Sequence, residues 1–268
     1  MLQDAAFLEQ IAADPDDDGP RLVYADWLEE QQDERAELIR VQCALAAAPQ
    51  PKSLAGRSMP EVRELLEHRR RLAQCEKHLL ARYGDTWRGA IRGPSVKVTL
   101  RRGFVDELRT NALDLAAVAP NLAIDAPALR VLHVMPHSGR ARLTPAIDAI
   151  EQQQLPASLR VLDVASCELD ARELARLLRW PWLSRLTRLS LAWNSWLGGL
   201  ACDWLDGQWP LNELEELDLR GIALNREASE MLATSPELRR LRLLTISRRP
   251  RRNVLQLREV FGARLLAI

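Results

Sequence analysis

One spacing recurs five times in the second half of this chain. Leu129-Arg-Val-Leu132-His-Val134, Leu159-Arg-Val-Leu162-Asp-Val164, Leu186-Thr-Arg-Leu189-Ser-Leu191, Leu214-Glu-Glu-Leu217-Asp-Leu219 and Leu238-Arg-Arg-Leu241-Arg-Leu243 all read Leu-x-x-Leu-x-apolar. Their first leucines stand 30, 27, 28 and 24 residues apart. A unit of that length cannot bury its own apolar face, so stacked neighbours must bury it. Strand alternation puts the leucines on one side and the residues between them on the other. The chain is therefore constrained to a row of parallel strands over a shared leucine core, with one face left for contact.

Short helical segments fit between the strands. Thr144-Pro145 reads as an N-cap followed by proline, with Ile147 and Ile150 facing inward. Asp170 and Glu173 have capping-box spacing ahead of Leu174, Leu177 and Leu178. Asn225 can cap Arg226–Thr234, which would bury Met231 and Leu232. A strand plus a helix in each copy resembles the ribonuclease-inhibitor type of leucine-rich repeat. The resemblance implies an α/β fold, a leucine-rich-repeat solenoid with parallel strands inside and helices outside. The repeat consensus has Asn or Cys three residues after the last strand leucine, and Asn194 and Cys167 fall there. Such a side chain pairs backbone groups that the turn would otherwise bury alone. Ile222, His137 and Ile246 take the equivalent places and depart from the consensus.

The first third reads differently. Residues 1–48 are predicted helical, with Phe7, Leu8 and Ile11 forming one stripe and Leu22, Val23, Trp27 and Leu28 another. Pro20 suits the first turn of the second helix. A third helix is expected from Asp33 to about Ala47, carrying Leu38, Ile39, Val41, Gln42 and Leu45. Pro49, Pro51, Gly56 and Pro60 mark a loop, and a long helix follows from about Pro60 to Arg82. Val96, Val98 and Leu100 then alternate as in a strand, and Arg101-Arg102-Gly103 can turn the chain. Val105-Asp-Glu-Leu108 reads as a degenerate first repeat, 24 residues before Leu129. The expected division is an all-α domain over residues 1–83 and the solenoid, with its own N-terminal cap, over 84–268.

Ala6-Phe-Leu-Glu-Gln-Ile-Ala-Ala-Asp14 through Arg21-Leu-Val-Tyr-Ala-Asp26-Trp27-Leu-Glu-Glu, then Arg35-Ala-Glu37-Leu-Ile-Arg40-Val-Gln42, resembles the bacterial repeat-companion domain. The likeness covers about residues 2–45. The Arg102-Gly-Phe-Val105 turn is similar to the segment next to that domain in such proteins. The resemblance implies an architecture, a small helical domain ahead of degenerate leucine-rich repeats in a bacterium. It carries no catalytic residue.

Charge and motifs narrow the function. The 268 residues have zero formal net charge, which excludes a bulk pull toward nucleic acid or membrane. Residues 1–40 nevertheless carry twelve acids against three arginines, a local −9, so the rest carries +9. No run of about 18 apolar residues is present, so no membrane-spanning helix is predicted. Asp4 and Glu9 stand where a signal peptide would be basic and then apolar. Cys43, Cys75, Cys167 and Cys202 form no C-x-x-C pair. Reduced thiols in a cytoplasmic protein are expected, with no zinc site and no redox motif. Asp14-x-Asp16-x-Asp18-Gly19 matches half of a calcium loop, but Ala25 stands where the twelfth-position carboxylate is needed. These acids are instead expected to serve the positive N-terminus of the second helix. Asp26 is expected to be at least half-buried and to pair with Arg21, Arg35 or Arg40. G-x-S-x-G, H-E-x-x-H, P-loop and glycine-rich nucleotide motifs are all missing. His68, His78, His133 and His137 complete no ligand set. No catalytic residue, metal or cofactor is expected.

The outward strand positions are the expected contact residues. His133, Asp163, Ser190, Asp218 and Arg242 are the middle ones, and Arg188, Glu216, Arg220 and Arg240 flank them. Six of eight tryptophans fall between residues 180 and 209: Trp180, Trp182, Trp193, Trp196, Trp204 and Trp209. Trp196 replaces a core leucine and is expected to be buried, whereas Trp193 is expected at the edge of the contact face as an anchor. Seven arginines between Arg239 and Arg252 give a basic end with no interleaved aromatic. The expected function is noncatalytic protein binding, as an adaptor, recognition subunit or inhibitor. One alternative is a nucleic-acid-associated regulator using the arginine-rich end. Another is the substrate-receptor part of an enzyme system.

Overall fold

The computed structural model describes residues 2–50, 56, 58–136, 143–153, 155–197, 211–248 and 251–268. His137, Cys202, Trp204, Trp209 and Arg249 lie outside the described residues. Among the described residues, eight strands form one open sheet in chain order: β1 (Lys97–Arg101), β2 (Phe104–Asn111), β3 (Val131–Met135), β4 (Val161–Asp163), β5 (Arg188–Ser190), β6 (Glu216–Asp218), β7 (Leu243–Ile246) and β8 (Leu265–Ala267). β1 and β2 form an antiparallel hairpin and every later neighbour is parallel. Arg102 at φ 50 and Gly103 at φ 85 make the hairpin turn, the left-handed pair that matches strand twist.

The register explains the leucine spacing. Leu108, Leu132, Leu162, Leu189, Leu217, Leu244 and Leu265 stand opposite one another strand by strand, and all are buried. Leu108 thus takes the place expected of a degenerate first copy. The last copy differs from the expectation. Leu217 pairs with Leu244, so the motif is Leu241-Arg-Leu-Leu244-Thr-Ile246 and begins 27 residues after Leu214. The physical reason is that Leu241 and Leu244, rather than Leu238 and Leu241, occupy the two places that continue the buried row. Leu238 is also buried, but in the turn that precedes the strand. β8 arises from a short apolar run that the spacing does not reveal.

Helices close the other side of the core. They are α5 (Ala112–Val118), α6 (Leu122–Asp125), α7 (Thr144–Glu151), α8 (Ala171–Leu177), α9 (Arg226–Thr234) and α10 (Arg251–Phe261), numbered after four N-terminal helices. Asp170 and Glu173 form the expected reciprocal cap of α8, and Asn225 Oδ1 accepts from Ala228 N at 2.7 Å at the start of α9. Thr144 is not the cap of α7. It lies in the first turn after Leu143, and its hydroxyl donates to Glu173 Oε1 at 2.5 Å. Ile147, Ile150, Leu174, Leu177 and Leu232 reach the strand leucines and form one continuous core.

The turns leaving the strands repeat as well. Ser166, Trp193 and Gly221 are each four residues past a central leucine, and each is left-handed, at φ 58, 62 and 75. Asn194 lies next to Trp193 and is closed off from solvent. Its Oδ1 accepts from Cys167 N and Leu169 N at 3.0 Å, and its Nδ2 donates to Val164 O and Leu191 O at 2.9 Å. One carboxamide thereby fastens two successive turns.

α1 (Leu2–Ala13), α2 (Gly19–Glu30), α3 (Arg35–Ala47) and α4 (Met59–Trp87) pack on the hairpin end of the sheet. Ile11, Tyr24, Ala25, Leu28 and Ile39 share a core with Phe104 and Ala128. Gln42, buried on α3, joins three elements. Its Nε2 donates to Glu76 Oε1 at 2.7 Å and to Leu100 O at 3.1 Å, while Oε1 accepts from Gly103 N at 2.7 Å. Asp18 meets Arg102 at 2.7 Å, and Asp16 meets Arg130 at 2.7 Å. Asp14 Oδ1 accepts from Asp16 N and Asp17 N, so it serves its own turn. Asp26 pairs with Arg40 at 2.7 Å, as the sequence suggests, but its side chain is 73% exposed rather than half-buried. The reason is that α2 turns Tyr24, Ala25 and Leu28 inward and leaves Asp26 on its outer side.

Two substitutions test these contacts. A Cβ at Gly103 would lie 2.1 Å from Ile39 Cγ1 in a left-handed backbone. Gly103→Ala is expected to cost about 2–4 kcal/mol in urea unfolding, from strain and overpacking together. Asn194→Ala orphans four buried backbone groups and is expected to cost about 2–5 kcal/mol by the same measurement.

Candidate functional site

The outward positions of β3 to β8 line one groove of about 560 Å³, and those of β2 continue its two rows beyond the lining. The first row runs Glu107, Val131, Val161, Arg188, Glu216, Leu243 and the second Arg109, His133, Asp163, Ser190, Asp218, Thr245, Leu266. Of the residues expected from sequence, His133, Asp163, Arg188, Ser190, Trp193, Glu216, Asp218 and Arg220 all line it. Arg240 and Arg242 do not. The shifted register gives their places to Leu243 and Thr245. Arg240 reaches Asn212 O at 3.4 Å, and Arg242 is exposed beside Glu215 at 3.1 Å.

The charges of the groove are matched within it. Adjacent strands lie about 4.8 Å apart, so residues in register can pair directly. Arg188 meets Glu216 at 2.6 Å, and Arg220 Nε donates to both Asp218 carboxylate oxygens at 2.9 Å. Glu107 meets Arg109 at 2.6 Å. His133 lies between two acids, with Nδ1 3.2 Å from Asp163 Oδ2 and Nε2 3.4 Å from Glu107 Oε1. Burial of Asp163 opposes its ionisation, but hydrogen bonds from His133, the Ala165 N–H and Ser190 outweigh that. They hold its carboxyl below the ordinary carboxylate range. A face whose acids and bases already satisfy each other projects little field toward a charged ligand.

What remains unsatisfied is apolar. Val131, Val161, Ala165 and Ala192 form the floor, and Leu243, Leu266 and Ile268 extend it toward β8. These apolar strand positions are not among the contact residues expected from sequence, which are polar apart from Trp193. Their signal is nonetheless in the sequence: Val131 and Val161 fill the second x of Leu-x-x-Leu, and Leu265-Leu-Ala-Ile268 is an apolar run.

Trp193 stands over one rim and is 60% exposed. Its N–H donates to Arg220 O at 2.6 Å, continuing the strand ladder into the turn. Its ring lies against Gly221, where an added Cβ would be 2.4 Å from Cε3. Trp196 is not buried as expected; it is 67% exposed. It sits in the short turn Ser195–Leu197, whose inward residue is Leu197. Trp180 is buried and packs on Trp182 at 5.2 Å, both as part of the core.

Nucleophile chemistry is suppressed at the buried thiols. Burial pushes Cys43 and Cys167 up to about 12, so neither is a thiolate near neutral pH. Among the described residues, no group of three or more His, Cys, Asp or Glu side chains is placed to hold a metal ion.

The Asp163 contacts predict a pH dependence. Its folded carboxyl ionises more readily than the unfolded one, so its stabilisation is present above about pH 4 and is lost as pH falls through the depressed folded value. Asp163→Asn is expected to lower the melting temperature at neutral pH. The gap from wild type should shrink as the pH falls below about 4.

No protein-family model matches the chain, and no curated protein matches it either.

Proposed function

We propose that this protein is a noncatalytic protein-binding unit, an adaptor, recognition subunit or inhibitor working in a bacterial cytoplasm. In this reading residues 84–268 are a leucine-rich-repeat solenoid. Residues 1–83 are the companion domain that covers its first strands. The leucine rows, the buried Asn194 and the strand-then-helix order support the solenoid. The partner presents an apolar element to the floor between β3 and β8.

The observation that carries this reading is Trp193. Its turn position is left-handed in all three successive copies, and glycine occupies it once. A bulky residue there costs about 1–2 kcal/mol of local strain. The chain bears that strain and places the indole outside the core, above an apolar floor. Retained strain at an exposed aromatic supports a contact role, since tryptophan is the residue most enriched among interface hot spots. The paired charges of the groove favour an apolar protein element over nucleic acid.

Trp193→Gly separates binding from folding. Glycine suits the left-handed turn, so the melting temperature is expected to equal or exceed that of wild type. A partner recovered on immobilised wild-type protein should bind the variant on the order of 30-fold or more weakly in calorimetry. Equal affinity of the two proteins, or a partner that binds residues 1–48 alone, overturns the proposal.

A further inference from the structure

The charge of this chain is concentrated at its two ends. Residues 1–40 carry net −9, and residues 239–268 carry nine arginines against Glu259, net +8. The stretch between them is close to neutral, at +1. The fold keeps the two ends apart. The acidic helices pack on the β1–β2 end of the sheet, while residues 239–268 build β7, α10 and β8 at the other end.

Distance decides what these charges can do. Seven strand steps of about 4.8 Å separate β1 from β8, roughly 34 Å along the open sheet. The Debye length is about 8 Å at physiological salt, so within one molecule the two ends are screened from each other. Each end is paired only in part within the chain: Asp16, Asp18, Asp26 and Glu29 meet Arg130, Arg102 and Arg40, and Arg242 meets Glu215, which leaves other charges over at both ends. Among the described residues, Arg248 and Arg264 side chains hydrogen-bond to backbone carbonyls and to no carboxylate. Arg239, Arg252 and Arg258 are exposed and make no ion pair among the described residues. At the other end Glu30, Glu34 and Glu37 are exposed and likewise have no cation within ion-pair distance among the described residues.

We propose that the arginine-rich end, centred on Arg239, Arg252 and Arg258, docks on the acidic helical region of a second copy of this chain. The charges are nearly equal and opposite, and each copy carries one of each kind. The contact is therefore heterologous, head to tail, and it builds a ring or an open row according to the angle between copies. It leaves the groove of each copy free, so it is independent of the groove's own partner.

The test is light scattering of the purified full chain at about 0.01 M and 1 M salt, where the Debye length is ~30 Å and ~3 Å. At low salt the wild-type mass should exceed the 30.3 kDa of one chain, and at high salt it should return to it. The association constant should fall about 10-fold or more over that range. Two variants fix the surfaces: Arg239→Glu with Arg252→Glu and Arg258→Glu, and Glu30→Lys with Glu34→Lys and Glu37→Lys. Each alone should be monomeric at low salt while still melting cooperatively, the variant at Glu30, Glu34 and Glu37 at a lower temperature because Glu34 accepts from Tyr83 and Glu37 lies in the first turn of α3, and mixing the two should restore assembly. A wild type that is monomeric at low salt overturns the proposal, as does assembly that survives both reversals. So does a duplex DNA that binds the arginine-rich end more tightly than a second copy does.

Discussion

The carboxamide of Asn194 governs how this molecule holds together. Parallel strands joined through turns must bury those turns against the next copy, and each buried turn brings N–H and C=O groups that water can no longer reach. Asn194 supplies two donors and two acceptor sites in one rigid plane, and all four are used on two successive turns. Because it is locked inward, its neighbour Trp193 is directed outward. The same turn thus ties the core and presents the indole. The three left-handed positions at 166, 193 and 221 are the backbone counterpart of this arrangement, since they let the chain leave each strand without breaking the ladder.

Most of the fold is legible in the sequence because leucine spacing reports directly on which side chains meet. Leu132, Leu162, Leu189 and Leu217 need only strand alternation to be placed. The Arg102-Gly103 turn, the capping box at Asp170 and the cap at Asn225 are equally local. The misplacements have separate physical causes. Leu238-Arg-Arg-Leu241 fits the motif as well as Leu241-Arg-Leu-Leu244 does, and only register against Leu217 tells them apart. That three-residue slip moves the contact expectation from Leu243 and Thr245 to Arg240 and Arg242. Trp196 escapes the core because a short turn places Leu197 in the inward position beside it. Asp26 pairs with an expected arginine, but a pairing does not reveal which side of α2 faces solvent.

The groove shows how a charged sequence can yield an uncharged surface. Along the chain, the outward positions mix His, Asp, Arg and Glu without order. Stacked in register, Arg188 falls opposite Glu216 and His133 opposite Asp163, while Glu107 reaches His133 diagonally from the neighbouring strand. Asp218 with Arg220 and Glu107 with Arg109 pair within one segment, but the pairs of Arg188 and His133 form across strands and are invisible in any one segment. What distinguishes the face is then the apolar floor and one strained tryptophan.

The Gln42 contacts bear on the order in which the chain becomes native during synthesis. The helical region emerges from the ribosome first, yet its core is closed by Phe104, and Gln42 finds two of its three partners on the β1–β2 hairpin. Until residues near 104 are available, Tyr24 lacks the Phe104 ring and Gln42 lacks two of its three partners, so the core of the early helices stays open on one side. These long-range contacts make folding of the first third wait for the second. A chain ending within the long helix would therefore leave Tyr24 without the Phe104 ring that stacks on it at 5.8 Å, and the aromatic cluster it forms with Phe7 and Trp27 more open to water.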